Sequence, residues 1–289
     1  WRREEGSFSR IENCRYALIK RDRLVANHEH GDKACGEVRH SYHLLRSLLA
    51  LDEQVEYVGY LRPGSLQAGR LEGWPVHDRL RWVETPRWLM PCRGAWDRLD
   101  LYHGPNFKMH TTGRSGGIVT IHDLWLARHP EYSRKLLGQA GSSRRAMATA
   151  NRARRVVTVS EFSAREIEAL YGIPRERVVV IHNGVTEEFS PVQDEQGMAV
   201  LRARWAIPSA GFILFVGGAD PRKNHRVFLQ AVAQSHSQLG GRAILLVGDA
   251  EHPQGSYLAT ARSLGLEQDV RCTGRLNRED LCRLYSYAE

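Results

Sequence analysis

The feature that most constrains the fold is an alternation of short aliphatic runs with helical patterns along most of the chain. GGIVTI, RRVVTV, RVVVI, GFILFV and RAILLV are such runs, and several lead directly into amphipathic stretches. This alternation favours parallel sheets covered by helices, which is an α/β fold. With 289 residues, of which 42% are hydrophobic, the chain is long enough for two such units.

The alternation is interrupted once, by a polar segment from Glu187 to Met198 that contains a proline and lacks periodicity. We therefore predict a Rossmann-like domain over 1–186, a linker over 187–198 and a second Rossmann-like domain over 199–289. Helices are predicted over Val38–Leu51, after an N-cap at Ser160, from His225 and from Gln254. In paired α/β units a ligand lies outside the carboxyl ends of the strands, in the cleft between the units.

Composition excludes several classes of protein. The five cysteines form no C-x-x-C pair, which fits a reducing compartment better than a disulfide framework. No apolar run approaches the ~18 residues of a membrane span. The first residues, WRREEGSFSR, contain no apolar segment typical of a signal peptide and no initiator methionine. We expect a soluble, cytoplasmic protein whose chain is a fragment.

The net charge of +8 invites an anionic partner. Five arginines cluster on a predicted helix: Arg144, Arg145, Arg152, Arg154 and Arg155. Because no nucleic-acid-binding motif accompanies them, a basic nucleic-acid-binding protein is a minor alternative and we predict no nucleic-acid partner. We expect the helix to face solvent and to make a peripheral contact with the inner face of the membrane.

The stretch FVGGADPRKNH places Arg222 and Lys223 between a strand and the next helix. Amide groups at a helix start favour an anion, and two cations reinforce that preference. Gly217 and Gly218 would let the backbone approach a diphosphate closely. An ordinary solvated turn is the alternative. We interpret the pair as a phosphate clamp.

Two further strand ends carry polar residues. His122 and Asp123 follow the run GIVTI, and a histidine there can hydrogen-bond a sugar hydroxyl or a phosphate. A buried structural histidine is an equal alternative. Asn183, in HNGV near the linker, is either part of a tight turn or a cleft residue.

A histidine-rich stretch raises the question of a metal site. His28, His30, Cys35, His40 and His43 match no standard zinc spacing, and the last two fall on a predicted helix. The Walker A and G-x-G-x-x-G patterns are both absent, which argues against a P-loop enzyme and a standard dinucleotide binder. We predict no metal and no cofactor.

Taken together, the motifs resemble the family 4 glycosyltransferases, which include bacterial mannosyl- and hexosyltransferases. The resemblance covers about Leu101 to Glu289 and rests on VTIHDLWLARHPEY, VVTVSEFSAREIEALYGIPRERVVVIHNGVTEEFSP, FVGGADPRKNHRVFLQAV, LLVGD and VRCTGRLNREDLCRLYSYAE. It implies a GT-B fold, a GDP- or UDP-hexose donor, a glycan or lipid-linked acceptor, and retention at the anomeric carbon. No metal is implied.

The resemblance also implies roles for individual residues. Arg222 and Lys223 match the donor-diphosphate cations and His122 a cleft histidine, and we group the three as catalytic. Further donor contacts are expected at Gly217, Gly218, Asn183, Gly274 and Leu276, and acceptor contacts at Gly36 and Asp123. The mechanism implied is electrostatic stabilisation of the leaving group.

This sequence departs from the family in two places. The glycine-rich loop before the first helix is reduced to ACGEVRHSY, which keeps only Gly36. The chain also stops before the stretch where the family carries two glutamates that bind the donor. We therefore expect a C-terminally truncated enzyme with an incomplete second domain over 199–289 and little transfer activity. The alternative is a non-catalytic remnant that still binds a nucleotide sugar.

Overall fold

The computed structural model describes residues 15–19, 36–51, 53–69, 71, 73–86, 88–109, 116–129, 139–252 and 255–289. The chain forms two compact units, Trp1–Gly184 and Val185–Glu289. The boundary lies two residues before the predicted end of the first domain. No helix in the described ranges is long and apolar enough to cross a membrane.

The first unit alternates strands with helices as the sequence predicts. The helix predicted over Val38–Leu51 begins two residues earlier, at Gly36. The helix predicted after Ser160 is confirmed, because the Ser160 hydroxyl accepts a hydrogen bond from the Ser163 amide at 3.1 Å. The elements are β1 (Arg15–Ile19), α1 (Gly36–Leu51), β2 (Glu56–Leu61), β3 (Leu80–Glu84), α2 (Met90–Trp96), β4 (Leu101–Gly104), β5 (Gly116–Ile121), α3 (Trp125–Arg128), α4 (Gln139–Arg152), β6 (Arg155–Thr158), α5 (Glu161–Tyr171) and β7 (Val178–Val180).

All strands of this unit form one parallel sheet in the order β3-β2-β1-β4-β5-β6-β7. The prediction of a parallel, helix-covered sheet is therefore confirmed. The strand order reverses between β1 and β4, so the carboxyl ends of these two strands flank the crevice where such sheets bind ligands. The described residues that follow β4 and β5 are thus placed for function.

The two faces of this sheet carry separate cores. On one face Leu45 and Leu49 of α1 pack with Tyr57 and Leu61 of β2. The other face carries α2, α4 and α5, whose inward residues share one core with the central strands: Met90, Ala146, Ala150, Ala164, Ile167, Val119 and Ile121. Side chains alternate between the faces along each strand, as the period of a β-strand requires.

The second unit contains a smaller parallel sheet, in the order β12-β9-β8. The aliphatic runs GFILFV and RAILLV contain β8 and β9, and VRCTG forms β12. The elements are α6 (Glu195–Arg204), β8 (Phe212–Val216), α7 (His225–Gln234), β9 (Ala243–Val247), β10 (Glu251–His252), β11 (Gly255–Ser256), α8 (Tyr257–Ser263), β12 (Val270–Gly274) and α9 (Arg278–Tyr287). Strands β10 and β11 form an antiparallel ribbon.

The core of this unit lies on both sides of β9, whose residues are all buried. Ile244 and Leu246 face α7 and α8, where they pack with Leu229 and Ala261. The alternate residues of β9 face α6 and α9, where the core contains Ala243, Leu245, Val247, Met198, Leu201 and Leu284. A central strand buried on both faces explains why RAILLV reads as a continuous apolar run.

Two helix starts in the second unit differ from the sequence prediction. The linker was predicted through residue 198, but α6 begins at Glu195, because the Asp194 carboxylate accepts a hydrogen bond from the Gly197 amide at 2.9 Å and pairs with Arg283 at 2.6 Å. The helix predicted from Gln254 begins at Tyr257, because the Ser256 hydroxyl caps it. In both cases a polar side chain sets the helix start, and periodicity alone did not locate it.

Candidate functional site

The three strands of the second unit end at one edge, and the turns that follow them are bonded to each other. The Gly217 amide donates to the Val247 carbonyl at 2.9 Å, and the Ala219 amide donates to the Asp249 carbonyl at 2.8 Å. The Gly248 amide donates to the Gly274 carbonyl at 2.9 Å. These bonds join the turns after β8, β9 and β12 into a continuous surface, which we call the carboxyl rim.

Close backbone approach within the rim requires glycine. At Gly248, with φ of +130°, an added Cβ would lie 2.0 Å from the Gly217 carbonyl oxygen. At Gly217 an added Cβ would lie 3.1 Å from Cγ of Lys223, because the lysine stem passes over this residue. Gly217 and Gly218 therefore lie where they were predicted, in the turn beside the two cations, while Gly274 ends β12 on the same rim.

Arg222 and Lys223 lie in a 3₁₀ turn, Pro221–Lys223, that connects β8 to α7. The Asp220 carboxylate shapes this turn by accepting a hydrogen bond from the Arg222 amide at 2.9 Å. The same carboxylate accepts hydrogen bonds from Nε and Nη2 of Arg222 at 3.0 and 2.8 Å. The Arg222 guanidinium is thus held by a neighbouring acid, which the sequence analysis did not foresee.

Lys223 is exposed at the end of this turn. It is followed by Asn224, whose φ of +53° places it in the left-handed region and whose side chain makes no capping hydrogen bond to α7. The first amides of α7 therefore have no side-chain cap from Asn224. Uncapped amides and an adjacent lysine favour binding of an anion at this point.

Two buried aromatic residues, Tyr257 and His225, lie behind the Gly217 turn of the rim. The Tyr257 hydroxyl donates a hydrogen bond to the Gly217 carbonyl, and burial raises the pKa of Tyr257 to about 12. Its ring lies edge to face with the buried His225 ring at 5.1 Å. Burial lowers the pKa of His225, so both groups are neutral at physiological pH. They hold the Gly217 turn without adding charge to it.

Asp249 and Arg275 form a second ion pair on the rim. Two hydrogen bonds, of 2.9 and 2.6 Å, join the guanidinium to the carboxylate, and this pairing lowers the pKa of Asp249. The bridge connects the turn after β9 to the turn after β12. Leu276, predicted to lie near a nucleotide base, packs partly into the core shared by α6 and α9.

In the first unit His122 directly follows β5. Its Nε2 atom lies 3.0 Å from the Pro105 carbonyl oxygen. A carbonyl can only accept, so Nε2 carries the proton and, in the neutral ring, Nδ1 presents a lone pair. The Ser163 hydroxyl donates to the His122 carbonyl at 3.3 Å and fixes the backbone. Neutral His122 can therefore accept a hydrogen bond from a hydroxyl group.

Two further histidines lie close to His122. The rings of His40 and His122 meet edge to face with their centroids 4.7 Å apart. His103 is buried on β4 and hydrogen-bonds the Thr120 hydroxyl at 2.8 Å. Burial, reinforced by the proximity of the His40 and His122 rings, lowers the pKa of His103 to about 3. His103 is not among the residues predicted from the sequence, although a histidine in the strand-like run LYHG was a signal.

The other predicted residues of this unit lie near strand ends or at helix starts. Asp123 is exposed, and its carboxylate accepts a hydrogen bond from the Trp125 amide at 3.0 Å at the start of α3. Asn183 is exposed in the segment after β7, and Gly36 is the first residue of α1. The structure thus assigns Asp123 a local structural contact and leaves the ligand roles of all three as predictions.

The metal question concerns only part of the histidine-rich stretch. His28, His30 and Cys35 lie outside the described residues, whereas His40 and His43 lie on α1. Among the described residues no group of three His, Cys, Asp or Glu side chains is arranged to hold a metal ion.

Comparison with known proteins places these features in a family. The family model described as Glycosyltransferase Family 4 matches residues 35–189, and the model described as Glycosyl transferases group 1 matches residues 210–289. The O-antigen chain mannosyltransferase B of Escherichia coli is 29% identical over 71% of this chain and 55% of its own length. A D-inositol 3-phosphate glycosyltransferase of Kineococcus radiotolerans is 31% identical over 74% of this chain and 45% of its own length. The chain thus spans about half the length of these relatives.

Solved structures agree on the fold. WaaG, a glycosyltransferase involved in lipopolysaccharide biosynthesis, superposes with a TM-score of 0.61 at 14% identity, over 95% of this chain and 73% of its own. Anabaena HepE in complex with UDP and glucose superposes with a TM-score of 0.63 at 17% identity, over 95% of this chain and 72% of its own. The predicted GT-B fold is therefore confirmed. Because its family model covers more than half of the sequence, this chain belongs to Glycosyltransferase Family 4.

Proposed function

We propose that the protein transfers a hexose, of the mannose type, from a nucleotide sugar to a glycan or lipid-linked acceptor with retention of the anomeric configuration. The observation that carries this proposal is the carboxyl rim of the second unit. There Lys223 is exposed beside backbone amides and glycines that allow a diphosphate to approach. No metal site is needed for this chemistry if the cations neutralise the departing diphosphate.

Arg222 and Lys223 have different roles on the rim. Lys223 is a point charge whose stem packs on Gly217, and it can stabilise the charge that develops on the diphosphate as the bond to the sugar breaks. The Arg222 guanidinium is hydrogen-bonded to Asp220. It can contact the donor only if it binds both groups at once or leaves the carboxylate for the phosphate. Lys223 is therefore the principal leaving-group cation, and Arg222 supplies planar hydrogen bonds to the bound donor.

His122 contributes on the acceptor side. When the Nε2–H group donates its hydrogen bond to the Pro105 carbonyl, the neutral ring offers Nδ1 as an acceptor for a sugar hydroxyl. That contact would orient the sugar that His122 binds, which is a positioning role rather than covalent catalysis. Attack from the same face as the departing diphosphate then yields retention.

The relatives suggest the substrate class. The Escherichia coli relative is named as an O-antigen chain mannosyltransferase, and HepE was solved with UDP and with UDP-glucose. For this chain we propose a GDP- or UDP-hexose donor and a role in cell-surface polysaccharide synthesis on the cytoplasmic side of the membrane. The base and the acceptor sugar are left open by this proposal.

A donor-binding and turnover experiment tests the proposal. Calorimetry with GDP, UDP and their hexose conjugates measures binding, and release of nucleoside diphosphate from each conjugate measures turnover with an oligomannose acceptor. Binding of a nucleotide sugar that Lys223→Ala weakens, together with acceptor-dependent release, would support transfer. Donor binding without any release would favour the non-catalytic alternative. Absence of binding to every conjugate would refute both.

A further inference from the structure

Two tryptophans project into solvent at the two ends of the short segment that contains α2. Trp88 and Trp96 are each 78% exposed. Trp88 lies in the turn that leads into α2, where the Leu89 and Met90 amides donate to the Pro86 carbonyl, and Trp96 ends the helix, one turn after Cys92. The residue between the tryptophans is Cys92, which is also exposed. We call Trp88, Cys92 and Trp96 the tryptophan face.

The opposite side of the same segment is firmly attached to the sheet. Met90 is buried in the core, and the Asp97 carboxylate accepts hydrogen bonds from Tyr60 at 2.6 Å and from Arg81 and Arg93 at 2.8 Å. Burial opposes ionisation of Asp97, but these three donors outweigh it and hold its pKa below the usual value. The tryptophan face is therefore presented by a fixed helix.

The exposure of this face is costly in water. Two tryptophans exposed to this extent present on the order of 300 Å² of largely apolar surface. Scattered exposed apolar residues are ordinary, but two largely exposed indole rings at the two ends of one short segment concentrate apolar surface in one place. Such a patch indicates an interaction surface.

The charges around the patch indicate the partner. Helix α4 lies on the same face of the sheet as α2, since Met90 and Ala146 belong to one core. Neither 88–96 nor 139–152 contains an acidic residue, and together they carry Arg93, Arg144, Arg145 and Arg152. The three arginines of α4 are exposed. Indole rings and arginines carried by helices on the same face of a sheet suit the interface of a bilayer that carries anionic lipids.

We infer that the tryptophan face inserts at the headgroup level of an anionic bilayer while the arginines of α4 contact the lipid phosphates. The indole rings would be buried at the headgroup boundary, where their N–H groups keep polar partners. This inference does not rest on the proposed function, because it needs neither donor nor acceptor.

Co-sedimentation with vesicles tests the inference in the native chain. We expect binding to vesicles of phosphatidylglycerol and phosphatidylcholine and little binding to phosphatidylcholine alone. Trp88→Ala combined with Trp96→Ala should weaken binding by roughly tenfold or more, given the apolar area lost. Arg144→Gln and Arg152→Gln should each weaken it by about fivefold. Leu258→Ala removes a side chain that is 50% exposed on α8 and should have no effect.

A fluorescent probe on Cys92 locates the contact. Bimane attached there, with the other cysteines changed to serine, should shift to shorter wavelength on anionic vesicles. The same probe on Val200→Cys, with Cys92→Ser, should not shift, since Val200 is 64% exposed on α6 of the other unit. If the serine changes prevented folding, the co-sedimentation series would still decide the question.

Three outcomes would overturn the inference. Vesicle binding that is unchanged when both tryptophans are replaced would do so. A Cys92 probe that responds to soluble oligosaccharide and not to vesicles would identify a glycan-binding surface instead. A dimer that dissociates when the tryptophans are replaced, measured by sedimentation velocity, would identify a second copy of the chain as the partner. Donor binding by calorimetry should be unaffected by the tryptophan changes.

Discussion

The aliphatic stem of Lys223 lies over Gly217, so close that a Cβ at position 217 would come within 3.1 Å of the lysine Cγ. This contact sets the direction in which the ammonium group leaves the turn. A long lysine side chain loses rotamer freedom when it is ordered, and packing on a bare glycine backbone restricts it in advance of ligand binding. The position of the charge is thus partly fixed by a residue that carries no charge.

The first prediction concerns the charge itself. Lys223→Ala should weaken binding of GDP or UDP by roughly tenfold to a hundredfold, on the scale of a charged hydrogen bond. Thermal stability should not change, because the side chain is exposed in a turn. Calorimetry measures the affinity, and Arg226→Ala is the matched control, since Arg226 is an exposed cation in the first turn of α7. Equal losses in both variants would remove the special role of Lys223.

A second prediction concerns Asp220. Asp220→Asn keeps an oxygen that accepts a hydrogen bond from the Arg222 amide but removes the negative charge that holds the guanidinium. Because that charge also repels a diphosphate, the variant should bind GDP or UDP several-fold more tightly at low ionic strength. Calorimetry at low and high salt measures the change. Weaker binding would mean that Asp220 is needed to orient Arg222.

A third prediction concerns the rim glycines. Gly248→Ala would place a methyl group 2.0 Å from the Gly217 carbonyl oxygen, at a backbone φ of +130°. We expect a loss of about 2 kcal/mol or more in the free energy of unfolding, followed by urea titration. Gly184→Ala is the control, since a Cβ there meets nothing within 4 Å. Similar stability of the two variants would show that the turns after β8 and β9 can separate at little cost.

A fourth prediction concerns pH. Burial holds the pKa of His103 near 3 in the folded chain, against about 6.5 when unfolded. Below pH 6.5 the unfolded chain therefore takes up a proton that the folded chain refuses, so stability falls as pH falls. The slope due to this residue should approach about 1.4 kcal/mol per pH unit between the two pKa values.

His103→Gln tests that slope. The variant cannot titrate and keeps a group that can hydrogen-bond Thr120, so its stability should depend less on pH between 6.5 and 4. His182→Gln, at an exposed histidine, should retain the slope of the unmodified chain. Urea titrations at several pH values provide the comparison. A slope unchanged in His103→Gln would assign the acid sensitivity to other groups.

The general architecture could be predicted from sequence because its signals are local. Buried parallel strands read as aliphatic runs, and the Ser160 cap marks its helix by residue type alone. The starts of α6 and α8 were misplaced for a different reason. Asp194 and Ser256 set them through hydrogen bonds, and the Asp194 cap is reinforced by Arg283, which lies far along the chain.

In the candidate site, too, the features with local sequence signals could be predicted and those set by side-chain contacts could not. Gly217, Gly218 and Lys223 lie in one short stretch between β8 and α7, so their grouping could be predicted from the sequence. The pairing of Arg222 with Asp220 could not, because charge counting does not tell whether neighbouring charges meet. The approach of His40 and His103 to His122 also escaped prediction, since three separate elements bring them together.

The Arg222–Asp220 pair has a consequence for how donor binding responds to ionic strength. A cation that already holds an internal counterion has no bulk anion to release when a ligand arrives. Arg222 would exchange one carboxylate for one phosphate, and the salt-sensitive part of the reaction would come from Lys223. Titrations over a range of salt concentrations should therefore show the dependence expected of one released ion, although two basic residues would border the bound phosphate.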